Sequence, residues 1–304
     1  MSNTAHIYTF SQKLNNNLIW DISQSNLVGS NDVSVSLSVG FIPSGLFVNN
    51  LGTMLFVFDE NTNEIYQFDF NSDWDITSLA FNKKSNVLST INTALGIRFS
   101  SDGTKVFVMD SIADGNDNSS IIHCFSLSTA WDVSTLNINS INTMSLTRTS
   151  GKEWFDKDFS FSYDGSFVYY LYASNDIYDI SNTTFLRVYK LNTPFDLSSI
   201  TTIGSGALSK SLAFDSDAQI NRVAQFNKDG TAYNWDVSVS DLTNTYFLAC
   251  QPLKIDHRDT TFNKTKLFDG LNNLKIDFPN INRFYAFGSD HIIKQYNTNF
   301  FNPN

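Results

Sequence analysis

Through most of the chain, apolar and polar residues alternate in short runs separated by small polar turns. GLFVNNLGTMLFVFD (Gly45 to Asp59), GIRFSSDGTKVFVMD (Gly96 to Asp110) and DFSFSYDGSFVYYLY (Asp158 to Tyr172) align without gaps. RVAQFNKDGTAYNWD (Arg222 to Asp236) keeps the same frame, and LKIDFPNINRFYAFG (Leu274 to Gly288) is a worn fifth copy. Alternation with a period of two in runs this short predicts β-strands, and no helical periodicity of useful length is present. The turn glycines Gly52, Gly103, Gly165 and Gly230 are unevenly spaced, so the unit tolerates insertions.

A second element follows each of the first three copies: EIYQFDFNSDWDIT (Glu64 to Thr77), IIHCFSLSTAWDVS (Ile121 to Ser134) and FLRVYKLNTPFDLS (Phe185 to Ser198). Each has an alternating run, a turn, and a tetrad of aromatic, Asp, apolar and Ser/Thr. A fourth run, such as NVLSTINTAL, precedes the next copy. Four short antiparallel strands per repeat of this length predict an all-β fold, a β-propeller of four-stranded blades.

Elementary chemistry explains the repeated residues. The glycine of the DG turn supplies positive φ at no steric cost, and an Asp side chain there bonds nearby backbone amides. Trp74, Trp131 and Phe195 are expected to fill the wedge between blades, and Asp75, Asp132 and Asp196 to tie the turn that follows. A repeated residue serves the repeat, whereas a single active site needs one copy.

The body supplies five copies of the first three strands. VSVSLSVG (Val33 to Gly40) reads as a fourth strand with no blade before it, and the last recognisable run, HIIKQYN, as a third strand. Five blades are therefore expected, closed by pairing the early strand into the blade that contains Leu274 to Asn297, which removes sheet edges. HIYTF followed by LIWDIS (His6 to Ser23) imitates a third strand plus tetrad, so six blades with one degenerate is the alternative. Residues 1–304 read as a single domain, with residues 1–30 an extension or part of that degenerate blade.

Composition narrows the partners. The chain is 41% hydrophobic and 14% aromatic, ample for a core, with Asn, Ser and Thr rather than charge on the surface. A formal charge of -10 and no Lys/Arg run argue against nucleic acid. No signal peptide or membrane span is read, so no membrane partner is expected. Cys124 and Cys250 lie in strand-like runs and read as buried thiols.

In a propeller the DG turns and the tetrads share one face. Insertions fall on the other: DSIADGNDNSS (Asp110 to Ser120), TRTSGKEWFDKD (Thr147 to Asp158), YASNDIYDISNTT (Tyr172 to Thr184) and QPLKIDHRDTTFNKTKLFDG (Gln251 to Gly270). Irregular segments on a rigid scaffold are where binding resides, and Asp176 and Tyr178 belong to them. Asp114 and Asp117, with Asn116 and Asn118, offer oxygen ligands of the kind calcium takes, without EF-hand spacing; a solvated hairpin tip is the plainer reading. No other cofactor and no metal is expected. Trp154, beside Lys152, is either a sugar-stacking platform or packing against the next blade. Asp256, His257, Arg258 and Asp259 form a dense titratable stretch that reads as surface ion pairs. The innermost strands carry only Asp158 and Asp277 as acids, poor material for a glycosidase carboxylate pair.

The pattern F-S-x-D-G-T-K-x-[FY]-V followed by I-x-x-[FY]-x-L-S-T-x-W-D-[VI]-S resembles repeats of bacteriophage virion and tail-associated proteins and of some bacterial surface proteins. The best copy is residues 97–134; the likeness covers Gly45 to Ser198, weakens through Arg222 to Asp236 and is faint after Leu274. It implies a non-enzymatic structural or binding module of a tail, fibre or capsid-associated position. Such a module attaches to another virion protein or a host-surface glycan, in several copies of a symmetric particle, and is made in the host cytoplasm. It carries over no catalytic residue, and a five-bladed carbohydrate-active enzyme is the alternative.

Overall fold

The glycine turns of the repeat fold as their chemistry requires. In the computed structural model, Gly52, Gly103 and Gly165 have φ of 70°, 71° and 73°, the left-handed region that glycine enters freely. The structure describes residues 4–11, 26–112, 119–146, 153–161, 164–176, 179–201, 212–214, 219–226, 233–240, 244–249, 261–269, 275–280, 283–287 and 291–297. Gly230 and Cys250 lie outside them.

The architecture is all-β and propeller-like, and the strands of the described residues fall into five sheets. The first comprises Pro43–Val48, Met54–Asp59, Glu64–Phe70 and Leu79–Lys84, each antiparallel to the next. The second repeats this with Ala94–Phe99, Lys105–Ile112, Ser119–Ser126 and Asn142–Leu146. In the third, Glu153–Phe161, Phe167–Asp176 and Asp179–Leu191 are followed by two short strands, Ile200–Thr201 and Leu212–Phe214, that pair with opposite ends of Asp179–Leu191.

The fourth sheet holds Gln219–Phe226, Tyr233–Ser240, Asn244–Ala249 and Thr261–Asp269. Thr4–Ser11 runs between the last two, parallel to Asn244–Ala249 and antiparallel to Thr261–Asp269. HIYTF thus lies in the fourth sheet as an inserted strand; LIWDIS lies outside the described residues.

The fifth sheet holds Lys275–Asn280, Arg283–Phe287 and Ile292–Asn297, completed by Asn26–Asp32. The expected partner, Val33–Gly40, is not that strand. Asp32 accepts the Ser34 N–H at 2.9 Å and turns the chain into a short 3-10 segment, Ser34–Ser36. Val33 is buried beneath it while Val35 and Val39 are exposed, so the valine-serine alternation marks a plugged turn.

The first strands of the sheets lie side by side. Pro43–Val48 neighbours Ala94–Phe99 and Lys275–Asn280, Glu153–Phe161 neighbours Ala94–Phe99 and Gln219–Phe226, and Gln219–Phe226 neighbours Lys275–Asn280. Gly45 permits one such approach, since a Cβ there would collide with Ile97. Apolar layers fill the spaces between successive sheets: Leu46, Val57 and Phe68 against Tyr285 and Phe287; Phe56 and Phe58 against Ile97 and Phe125; Phe107 and Ile122 against Phe159 and Tyr170.

Candidate functional site

The tetrad face is built around an unusual backbone. Trp74, Trp131 and Phe195 adopt positive φ, at 65°, 63° and 55°, which bulky residues rarely do. The N–H of each donates to the carbonyl of the turn glycine in its own sheet: Trp74 to Gly52 at 2.8 Å, Trp131 to Gly103 at 2.9 Å, Phe195 to Gly165 at 3.0 Å. Each ring then lies flat on that glycine, where any Cβ would enter the ring. The glycine is needed twice, for its φ and for its bareness. Both tryptophans are half-buried, less enclosed than the wedge reading implies, and Phe195 is buried.

The aspartates close the same turns. Asp75 accepts Thr77 N–H at 3.0 Å, Asp132 accepts Ser134 N–H at 3.0 Å and Asp196 accepts Ser198 N–H at 3.0 Å. The hydroxyl of Thr77, Ser134 or Ser198 donates to the same oxygen at 2.7, 2.6 and 2.7 Å. The Ser134 and Ser198 hydroxyls hold the carboxyls of Asp132 and Asp196 below the usual range, with Lys83 adding to the effect on Asp132 and Lys105 to that on Asp196.

Each tetrad is also gripped by the preceding sheet. From the fifth sheet, Gln295 accepts Ile76 N–H at 2.9 Å, Tyr285 Oη donates to Trp74 O at 3.2 Å, and the Arg283 guanidinium sits 4.9 Å from the Trp74 ring centre. From the first sheet, Gln67 accepts Val133 N–H at 3.3 Å, Lys83 pairs with Asp132 at 2.9 Å, and Phe47 and Phe56 stack on Trp131. From the second, Lys105 Nζ donates to Phe195 O at 3.0 Å and Asn142 Nδ2 to Asp196 at 3.0 Å.

The opposite face has its own repeated anchor, which the sequence reading missed. Asp59, the last residue of the second strand of the first sheet, and Asp110, near the end of the second strand of the second, are fully buried. Asp59 Oδ1 accepts Ile42 N–H and Asn61 N–H, both at 3.0 Å, and Oδ2 accepts the Ser38 and Thr62 hydroxyls, both at 2.7 Å. Asp110 Oδ1 accepts Asn92 N–H at 3.0 Å and Thr93 N–H at 2.8 Å, and Oδ2 accepts Asn92 Nδ2 at 3.1 Å. Each carboxylate fastens the link entering its sheet. The shared ending of FVFD and FVMD was the available signal; in the third copy Tyr172 stands there.

Of the proposed binding residues, Asp114, Asp117, Lys152, Tyr178, His257 and Arg258 lie outside the described residues. Trp154 belongs to an expected insertion, but its backbone lies in the strand Glu153–Phe161, opposite Ser174, beyond a register shift between Asp156 and Asp158. Asp176 ends the strand Phe167–Asp176, opposite Asp179. Both therefore stand toward one end of the third sheet, where the insertion lengthens a hairpin instead of forming a loose loop. Asp158 lies opposite Leu171 and Asp277 opposite Tyr285, both on first strands as expected. No group of three or more His, Cys, Asp or Glu able to hold a metal occurs among the described residues. No helix among them is long and apolar enough to cross a membrane.

No family model and no curated protein matches the chain. Among solved structures it is similar to hydrazine synthase of Kuenenia stuttgartiensis, at 12% identity over 85% of this chain and 84% of that one, with a TM-score of 0.43. It is similar to a putative 6-phosphogluconolactonase of Bacteroides uniformis at 12% identity over 81% of this chain, spanning 64% of that one, with a TM-score of 0.36. It is similar to a luciferin-regenerating enzyme at 9% identity over 85% of this chain and 92% of that one, with a TM-score of 0.39.

Proposed function

We propose that the chain is a closed five-bladed propeller acting as a non-enzymatic binding module of a bacteriophage particle. Its insertion-bearing face attaches to a neighbouring virion protein or to a host-surface glycan. The observation that carries the reading is the use of the repeated carboxylates. Asp59, Asp75, Asp110, Asp132 and Asp196 all bind backbone amides of turns or links, so the repeated positions build scaffold and the chemistry of recognition falls to the unrepeated segments.

Closure is supported by the neighbour relations of the first strands, which return from Lys275–Asn280 to Pro43–Val48, and by Asn26–Asp32 completing the fifth sheet. With few charges to steer association, affinity comes from aromatic contacts, amide hydrogen bonds and copy number in a symmetric particle, where weak contacts combine. Mass spectrometry of purified particles from the virus of the source organism tests the reading. Presence of the chain in stoichiometric amount is expected. Its absence, or a glycan-cleaving activity lost in Asp158→Asn or Asp277→Asn, overturns it in favour of a carbohydrate-active enzyme.

A further inference from the structure

The second sheet departs from the first at one buried position. Where Tyr66 pairs with Val57 in the first sheet, His123 pairs with Val108 in the second. His123 Nε2 lies 3.8 Å from Asp110 Oδ2, and neither ring nitrogen has a hydrogen-bond partner among the described residues. A buried polar ring left this way carries a desolvation cost and calls for an explanation. Asp59 shows what a saturated carboxylate looks like, with two donors on each oxygen. Among the described residues Asp110 Oδ2 has a single donor in Asn92 Nδ2 and faces the imidazole instead.

We propose that His123 and Asp110 form a proton-operated latch on residues 85–93, the link between the first and second sheets. Taking a proton from solvent makes both ring nitrogens donors. The imidazolium closes the gap to Asp110 Oδ2 as a charge-assisted hydrogen bond in the acceptor position that Asn92 leaves open, and by drawing the carboxylate and its charge toward the ring weakens its hold on Asn92 and Thr93. The latch stands independently of any role in a particle.

No other described charge near the ring competes for this role. The link SNVLSTINT (residues 85–93) and the outer strand NTMSL (residues 142–146) contain no ionisable residue. On the first sheet, Glu64 and Lys84 pair with each other at 2.8 Å. Along the second strand Lys105 is engaged with Phe195 O, and on the third strand the thiol of Cys124, the residue after His123, is pushed up to about 12 by burial. Burial lowers the proton affinity of His123, and Asp110 partly restores it. The folded ring is thus neutral above the titration range of an ordinary histidine, about 6.5, and its proton uptake works against the closed link as pH falls below it.

The test is an NMR titration of the whole chain from pH 8 to 5, following the His123 ring and the Asn92 and Thr93 amides. The ring is expected to titrate below the ordinary histidine value, and the two amides to shift with the same midpoint. In His123→Tyr, which installs the first sheet's residue, and in His123→Gln, those amide shifts should be lost. A ring that titrates while the amides stay still, a ring that does not titrate in this range, or amides that move equally in either folded variant overturns the latch. The wild-type titration decides the matter even where a variant fails to fold.

Discussion

Gln295 Oε1 accepts the Ile76 N–H at 2.9 Å, joining residues far apart in sequence across the boundary between the fifth and first sheets. Gln67 does the same for Val133 between the first and second sheets at 3.3 Å. At the matching position of the second sheet stands Cys124, which pairs with Phe107 as Gln67 pairs with Phe56, and there Lys105 and Asn142 hold the next tetrad instead. Gln295→Leu leaves the Ile76 N–H unsatisfied at a buried site, a loss of about 1–3 kcal/mol. Urea unfolding should show a lowered midpoint, and an unchanged one would mean that the boundary is held by packing alone.

The pairing of Trp131 with Gly103 predicts non-additivity. Trp131→Ala removes an aromatic that stacks on Phe47 and Phe56, at a cost of roughly 3 kcal/mol, the low end for such changes because one edge is open. Gly103→Ala places a methyl inside the ring at positive φ and destabilises through both strain and clash. Because the clash needs the ring, the double variant should be more stable than the summed single losses imply. Simple additivity would show that the ring moves aside without cost.

Much of the scaffold was legible because it is local and repeated: the DG turn, the Asp cap and the four-strand rhythm each occupy a few adjacent residues. The left-handed tryptophans were not, since nothing in an isolated W-D dipeptide overrides the usual aversion of aromatic residues to positive φ. The gripping residues Gln67, Lys83, Lys105, Asn142 and Gln295 were invisible because their partners lie in another sheet. NLVGSND escaped notice as a strand because it lacks alternation, whereas VSVSLSVG has it and turns. The candidate binding residues fall in the unrepeated stretches, where there is no second copy to compare.

The proposed ring closure predicts a productive cross-link. Ser30 lies opposite Lys294 in the pairing of Asn26–Asp32 with Ile292–Asn297. Ser30→Cys with Lys294→Cys should oxidise within one chain and stabilise it by up to about 4 kcal/mol, because the closed loop is very long. Thermal unfolding with and without reductant measures this. Cross-linking between chains, or none at all, would break the closure.

Acid sensitivity follows from the caps. The carboxyls of Asp132 and Asp196 are depressed in the folded chain, chiefly by the Ser134 and Ser198 hydroxyls. Their stabilisation is therefore present above the unfolded aspartate value, about 3.9, and is lost as pH falls through the lower folded values. Asp132→Asn should flatten the decline in stability below about pH 4 and weaken the tie to Lys83. Equal acid slopes in the two proteins would remove Asp132 from the account.

The proposed binding through the unrepeated segments predicts that recognition can be separated from folding. Trp154 stands in the lengthened hairpin of the third sheet, opposite Ser174, and Tyr178 follows Asp176 in the sequence. Aromatic side chains carry much of the energy in contacts that lack charge, so Trp154→Ala with Tyr178→Ala should weaken particle assembly or adsorption at least tenfold, the equivalent of about 1.4 kcal/mol. The tetrads and their grips lie on the other face, so thermal unfolding of the double variant should stay within a few degrees of the parent. Loss of the fold together with binding would show that these aromatics pack the third sheet. Full binding in the folded variant would move recognition to another segment, with Gln251 to Gly270 the next to be changed.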